Sequence, residues 1–209
     1  MSEVLFSTRL NSFALGNGLK YPSKTVSTVE LIKLASKVKG LNALELNYPE
    51  HFTSNSVPEL ESALRDSKLK VTGIQLRWPA PKFSNGGFTN PEMSIRRDAI
   101  KLVAEAIEIA KQLKTDHVLL WPAHDGYEYP LQMNYVEGWK WFKEAMQEIA
   151  DIDTSIRISI EYKPAEPRGR TLLNTTGAVM KMISDVGRAN VGVTLDFGHL
   201  LMAKENPAR

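Results

Sequence analysis

The chain has 209 residues, 43% of them hydrophobic, and a formal net charge of +2. That length and composition describe a globular protein with one sizeable core and exclude a disordered chain. The basic residues are scattered, so no nucleic-acid footprint stands out, and the lack of cysteine excludes disulfides and thiolate metal sites.

The N-terminal run Met1-Ser2-Glu3-Val4-Leu5-Phe6 has no basic start followed by a long apolar region. Neither a signal peptide nor a transmembrane span is expected, and the cytoplasm is the expected location. A first strand is predicted near Leu5–Arg9. Ser27-Thr28-Val29-Glu30 has the capping-box pattern, with Leu31, Ile32, Ala35 and Val38 following at helical spacing until Gly40. Ala43–Asn47 reads as a second strand. Ser56-Val57-Pro58-Glu59 opens a second helix carrying Leu60, Ala63 and Leu64, and Val71–Leu76 is a third strand. A loop rich in Pro, Gly and Asn fills Arg77 to Asn90.

Asn90-Pro91 opens the longest predicted helix, with Ile95, Ala99, Leu102, Val103, Ala106, Ile107, Ala110 and Leu113 on one face. His117–Trp121 is a fourth strand. Asn134–Ala150 is a helix with Val136, Trp139, Phe142, Met146 and Ile149 at core spacing. The alternating run Ile156–Ile160 is a fifth strand ending at Glu161. Thr176–Val186 is a helix stopped by Gly187. A sixth strand, Val191–Leu195, ends at Asp196, where another helix begins.

Strands separated by single helices imply a parallel sheet with right-handed crossovers. A doubly wound sheet and a (β/α)8 barrel both fit. The absence of a glycine fingerprint after the first strand weakens the nucleotide-binding version. In either architecture ligands gather at the strand C-terminal ends.

Those ends carry the polar candidates. Residues two apart in a strand point the same way, so Glu161 and Lys163 project together, and Pro164 and Pro167 prevent further ladder pairing. Asp196 with His199 adds a carboxylate and an imidazole in the same kind of position. Each pair alone also fits a plainer role: an ion pair, or a capping Asp beside a core His. Together they describe a convergent polar site. Any metal there must be held by carboxylate, imidazole and water, which suits Mn, Mg, Co or Zn. His124 lies in the loop after the fourth strand, as a substrate contact or a solvated histidine. Glu50 and His51 follow the second strand as a candidate acid–base pair. His117 opens the fourth strand at the opposite end, in a structural position, and Trp139, Trp141 and Phe142 read as packing residues.

Several stretches resemble the xylose isomerase-like TIM-barrel family of sugar isomerases and epimerases. They are Lys82–Pro91 with Arg96-Arg97, Trp121–Glu128, and Glu161-Tyr162-Lys163-Pro164-Ala165-Glu166-Pro167-Arg168-Gly169. Leu195-Asp196-Phe197-Gly198-His199 also resembles the strand-six motif of rhamnose isomerases and ketose epimerases. The resemblance implies a (β/α)8 TIM-barrel fold with six of the eight β/α units present. The whole of 1–209 would be a single domain, incomplete at its C-terminus. It implies a divalent-metal-dependent enzyme that interconverts an aldose and a ketose. Glu161 and Asp196 would be metal ligands. Lys163 would polarise a sugar oxygen. His199 would contact substrate or join the metal. Trp121 and Phe83 would form an apolar wall, with His124 also against the sugar.

The partners implied are a small-molecule sugar and other copies of the full-length chain, with neither nucleic acid nor membrane. Two rival readings stay open: a ketose 3-epimerase, and a non-catalytic carbohydrate-binding or scaffold barrel. Two departures are visible. The His and Asp that the family carries after strand two match Asn47 and Glu50 here. A complete barrel takes about 250 residues, and its remaining ligands would come from strands seven and eight. The 209-residue chain alone is therefore expected to be inactive, and to be poorly stable or self-associating because an open arc leaves strand edges bare.

Overall fold

Side-chain alternation along the strands separates an apolar face from a polar one, and this decides the architecture. The computed structural model describes residues 4–15 and 26–208. Met1–Glu3 of the N-terminal run, residues 16–25 and Arg209 lie outside the described residues. In chain order the strands are β1 (Ser7–Arg9), β2 (Ala43–Tyr48), β3 (Lys70–Arg77), β4 (His117–Trp121), β5 (Gly126–Tyr127), β6 (Arg157–Glu161), β7 (Arg170–Thr171) and β8 (Val191–Thr194). Six of them form one sheet in the order β1-β2-β3-β4-β6-β8, every pairing parallel. β5 and β7 make a separate antiparallel pair. A Cβ at Gly126 would lie 2.0 Å from the Arg170 carbonyl oxygen, so only glycine permits that approach.

The helices α1 (Ser12–Leu15), α2 (Thr28–Ala35), α3 (Val57–Ser67), α4 (Met93–Gln112), α5 (Tyr135–Ile152), α6 (Thr176–Val186) and α7 (Phe197–Met202) fall between the strands or after β8. Leu44, Leu46, Ile74, Leu76, Val118, Leu120, Ile158 and Ile160 are buried and form one cluster with Ile32, Leu60, Val103, Ile107, Phe142 and Val179 of the helices. The core thus lies between sheet and helices. The alternate strand positions, such as Glu45, Asn47, Gln75, Ser159 and Glu161, supply a polar inner face.

The sheet curls. If it were flat, β1 and β6 would stand four strand spacings apart, roughly 19 Å. Instead the Arg9 guanidinium on β1 reaches the Glu161 carboxylate on β6 at 2.9 Å. A parallel sheet that brings its first and fifth strands into side-chain contact is the arc of a barrel.

The long elements match the sequence expectations in type and their boundaries shift for local reasons, while the four-residue α1 is not among those expectations. The first predicted helix stops at Ala35 rather than near Gly40, leaving Val38 exposed. The long helix begins at Met93, not at the Asn90-Pro91 opening, because Asn90 is drawn into the preceding loop by its bond to the Gly86 carbonyl. β8 ends at Thr194, and Asp196 is the N-cap of α7. The β5–β7 pair was not foreseen, since two-residue strands carry no periodicity.

The Ser27 capping box is complete. Its hydroxyl accepts from the Glu30 amide, and the Glu30 carboxylate accepts from the Ser27 amide at 2.8 Å. Ser27→Ala is expected to cost about 1 kcal/mol, read from the midpoint of urea unfolding.

At the N-terminal end of the inner face, His117 Nε2 lies 2.7 Å from Ser159 Oγ, which lies 2.6 Å from Thr194 Oγ1. The structural position expected of His117 is the one observed. Burial, with Arg157 nearby, pushes its pKa down. The unfolded chain therefore binds a proton that the folded chain refuses. Stability from this group is present above about pH 6.5 and is lost as the pH falls toward the depressed folded value. The slope is at most about 1.4 kcal/mol per pH unit for each such ring. His51 and His124, also depressed by burial, act in the same direction. Unfolding followed between pH 7.5 and 5.5 should become less pH-dependent in His117→Gln; an unchanged slope would contradict this assignment.

Candidate active site

The candidate residues come together because their strands end together. Glu161 closes β6, and Asp196 and His199 follow β8, the neighbouring strand, where Glu161 pairs in register with Thr194. Ligand atoms of Glu161, Asp196 and His199 all lie within 4.8 Å of one another. Asp196 Oδ1 accepts from the His199 amide, at 3.1 Å, as the cap of α7. This helix start places the imidazole over the strand end. The capping role of Asp196 and its membership of the cluster therefore coexist.

His199 Nδ1 is buried without a hydrogen-bond partner and stands 3.6 Å from Glu161 Oε1. That separation is too long for a hydrogen bond. It is shorter than the sum of a metal–nitrogen and a metal–oxygen bond, about 4.2 Å. A buried nitrogen without a partner, facing two carboxylates, is a donor set that fits a divalent cation.

Glu161 is fully buried and held from two sides. Arg9 Nη2 donates to both its oxygens, at 3.0 and 2.9 Å, and Gln75 Nε2 donates to Oε2 at 2.9 Å. Arg9 also pairs with Glu45 at 3.2 Å. Burial works to lower the Arg9 pKa, but Glu161 and Glu45 outweigh it and hold the guanidinium charged. Glu45 moves upward, its burial outweighing the pull of Arg9.

Lys163 lies beyond Tyr162, whose hydroxyl turns toward Thr176 of the helical layer. Lys163 Nζ is 2.8 Å from Glu166 and 6.0 Å from the centre of the Trp121 ring. Arg77 approaches the same indole at 4.9 Å. Trp121 is thus flanked by two cations at the β3, β4 and β6 ends. His124 is half-buried, with Nδ1 lacking a partner, and its pKa is pushed down by burial and then by Arg168. Phe83 requires a correction. It is 3% exposed and packs at 5.6 Å against Trp78, so it supports the loop from within and offers no wall to a ligand. The apolar expectation failed there because an aromatic in a Gly-rich loop looks the same in sequence whether it faces a ligand or the core.

The loops carrying these groups are locked by Asp125. One oxygen accepts from the Thr89 amide at 2.6 Å and hydroxyl at 2.9 Å, and the other from Trp78 Nε1 at 2.6 Å. Asn47 and Gln75, direct partners on β2 and β3, are fully buried, and each keeps an amide oxygen without a partner. Asn47 Nδ2 donates to Glu50 at 3.1 Å. His51 Nδ1 accepts from the Asn47 amide instead of pairing with Glu50. Arg9, Gln75 and Glu45 were missed as site residues. Arg9 sits at a strand C-terminal end, where the same rule that found Glu161 would have found it.

Polar groups converging at the C-terminal ends of parallel barrel strands are the layout of a TIM-barrel active site. The sequence profile of the xylose isomerase-like TIM barrel matches residues 32–208, and the chain belongs to that family. Xylose isomerases of Thermus thermophilus and Thermus caldophilus are each 28% identical to it over 156 residues. That match covers 72% of this chain and 40% of theirs, so the chain spans less than half the length of these curated relatives. Among solved structures, the D-allulose 3-epimerase from Methylomonas sp. in complex with D-allulose superposes with a TM-score of 0.72 at 19% identity, over 95% of this chain and 64% of that one. The IOLI protein with a binding zinc atom gives 0.70 at 18% identity, over 96% and 65%. Both share the fold. Among the described residues, no helix is long and apolar enough to cross a membrane.

Proposed function

We propose that this chain carries the sugar-handling site of a divalent-metal-dependent isomerase that interconverts an aldose and a ketose. The observation behind this reading is the meeting of Glu161, Asp196 and His199 at neighbouring strand ends. When bound, a divalent ion such as Mn, Mg, Co or Zn would supply Lewis-acid stabilisation of negative charge on sugar oxygens. Glu161 and Asp196 would hold it through oxygen and His199 through its unpartnered nitrogen.

The remaining groups divide the work on the sugar. Lys163 would exchange its contact with Glu166 for the oxygen at the reacting end and polarise it. Trp121 would lie against the carbon face and exclude water. His124, neutral because it is half-buried, would hydrogen-bond a hydroxyl. Asn47 can bind a hydroxyl but cannot take a proton at neutral pH, so base-assisted ring opening would have to come from elsewhere.

Sequence identity to xylose isomerases supports the isomerase reading. The ketose 3-epimerase alternative needs carboxylates free to exchange protons with substrate. Both Glu161 oxygens already accept hydrogen bonds, which suits a fixed ligand better than a proton carrier. Because the chain spans 40% of the length of these relatives, turnover is proposed for the whole protein and ion binding for this chain. Carbon-13 NMR of aldoses incubated with the whole protein and Mn2+ tests it. Ketose formation that stops on chelation is the expected result. A C3 epimer of an added ketose would replace the isomerase by an epimerase, and ion binding without turnover of any sugar would favour a carbohydrate-binding barrel.

A further inference from the structure

We propose that Arg9 is a built-in competitor for the cation site: its guanidinium occupies Glu161 as an internal counter-charge, so a divalent ion binds only by displacing it toward Glu45. The inference rests on the ion-binding reading of Glu161, Asp196 and His199, and adds a residue on a different strand.

The geometry defines the competition. One nitrogen of Arg9, Nη2, spans both Glu161 oxygens at 3.0 and 2.9 Å, while Nε stays with Glu45 at 3.2 Å. Gln75 takes a further position on Oε2 at 2.9 Å. Oε2 therefore has two donors, and Oε1 keeps one direction open, toward His199 Nδ1 at 3.6 Å. The side chain of Glu161 is fully buried and that of Arg9 is about one-third exposed, at 34%. Arg9 can therefore move outward, whereas Glu161 cannot follow it. Glu45 is already bonded to the same guanidinium and gives it a second carboxylate to rest on. A buried carboxylate needs a positive partner. Here two candidates, one covalently attached and one dissolved, compete for it. Like charges this close repel strongly where solvent is excluded, so the two do not share the site without a shift of Arg9.

Coupling between two ligands of one site is reciprocal. Removing Arg9 should therefore tighten ion binding while weakening the ion-free fold. The test is isothermal titration of the chain with MnCl2, together with thermal unfolding with and without Mn2+, for the parent, Arg9→Gln and Arg9→Lys. Arg9→Gln should bind Mn2+ at least about tenfold more tightly, unfold at a lower temperature without ion, and gain more from Mn2+ than the parent does. Arg9→Lys keeps a point charge but loses the planar fork, so its affinity should fall between the two. It carries the test if Arg9→Gln does not fold. Equal or weaker binding in the variants overturns the competition while leaving the ion site standing. Absence of binding in the parent and in both variants removes the ion site and the competition with it.

Discussion

Glu161→Gln is expected to abolish divalent-ion binding and to cost about 2 kcal/mol of folding stability. The substitution keeps the shape and removes the charge. Its new amide nitrogen must face donors from Arg9 or Gln75, because every neighbour that touches the carboxylate by hydrogen bond donates to it. Breaking a buried charge pair from one side costs roughly 3–5 kcal/mol. The lower figure here reflects Arg9, which is partly exposed and keeps Glu45. Titration with Mn2+ and urea unfolding read the two effects separately. Retained ion affinity in Glu161→Gln would remove this carboxylate from the ligand set and, with it, the proposed chemistry.

Asp125→Asn should destabilise the protein by about 1–3 kcal/mol, although it is isosteric and far from the carboxylate cluster in sequence. Asp125 is 1% exposed and accepts from the Thr89 amide and hydroxyl, the Trp78 indole and the Gly87 amide. An asparagine offers one acceptor oxygen and presents its NH2 to donors on the other side. Burial pushes the Asp125 carboxyl up, against the pull of those donors. A raised folded pKa means that this group's contribution is full below about pH 3.8 and is lost as the pH rises through the folded value. Asparagine removes that dependence, so the loss measured at neutral pH is the net of a relieved desolvation and broken donor contacts. Urea unfolding measures it, and hydrogen exchange at the Thr89 amide should show the loop opening first. A loss under about 1 kcal/mol would mean that the loop does not depend on this lock.

The barrel-like alternation was legible because strand and helix periods differ, and the elements are long enough to show them. His117–Trp121 and Thr176–Val186 were read to the residue. The cluster of Glu161, Asp196 and His199 was legible because a strand end fixes direction: residues after β6 and β8 have to emerge at the same rim. Phe83 was misread for the opposite reason. Inside a loop no period tells ligand from core, and only the packing against Trp78 decides.

By itself the sequence determined the order of the six sheet strands, the helices from Thr28 onward that alternate with them, and the motif residues at the strand ends, since each follows from local periodicity or from a short contiguous pattern. The tertiary structure alone decided that Arg9 grips Glu161 across 152 positions of chain, that Gln75 joins them, and that Asp125 binds two loops together. These contacts depend on how far the sheet curls. Curl is a sum of small twists over every strand, and no single stretch of sequence records it.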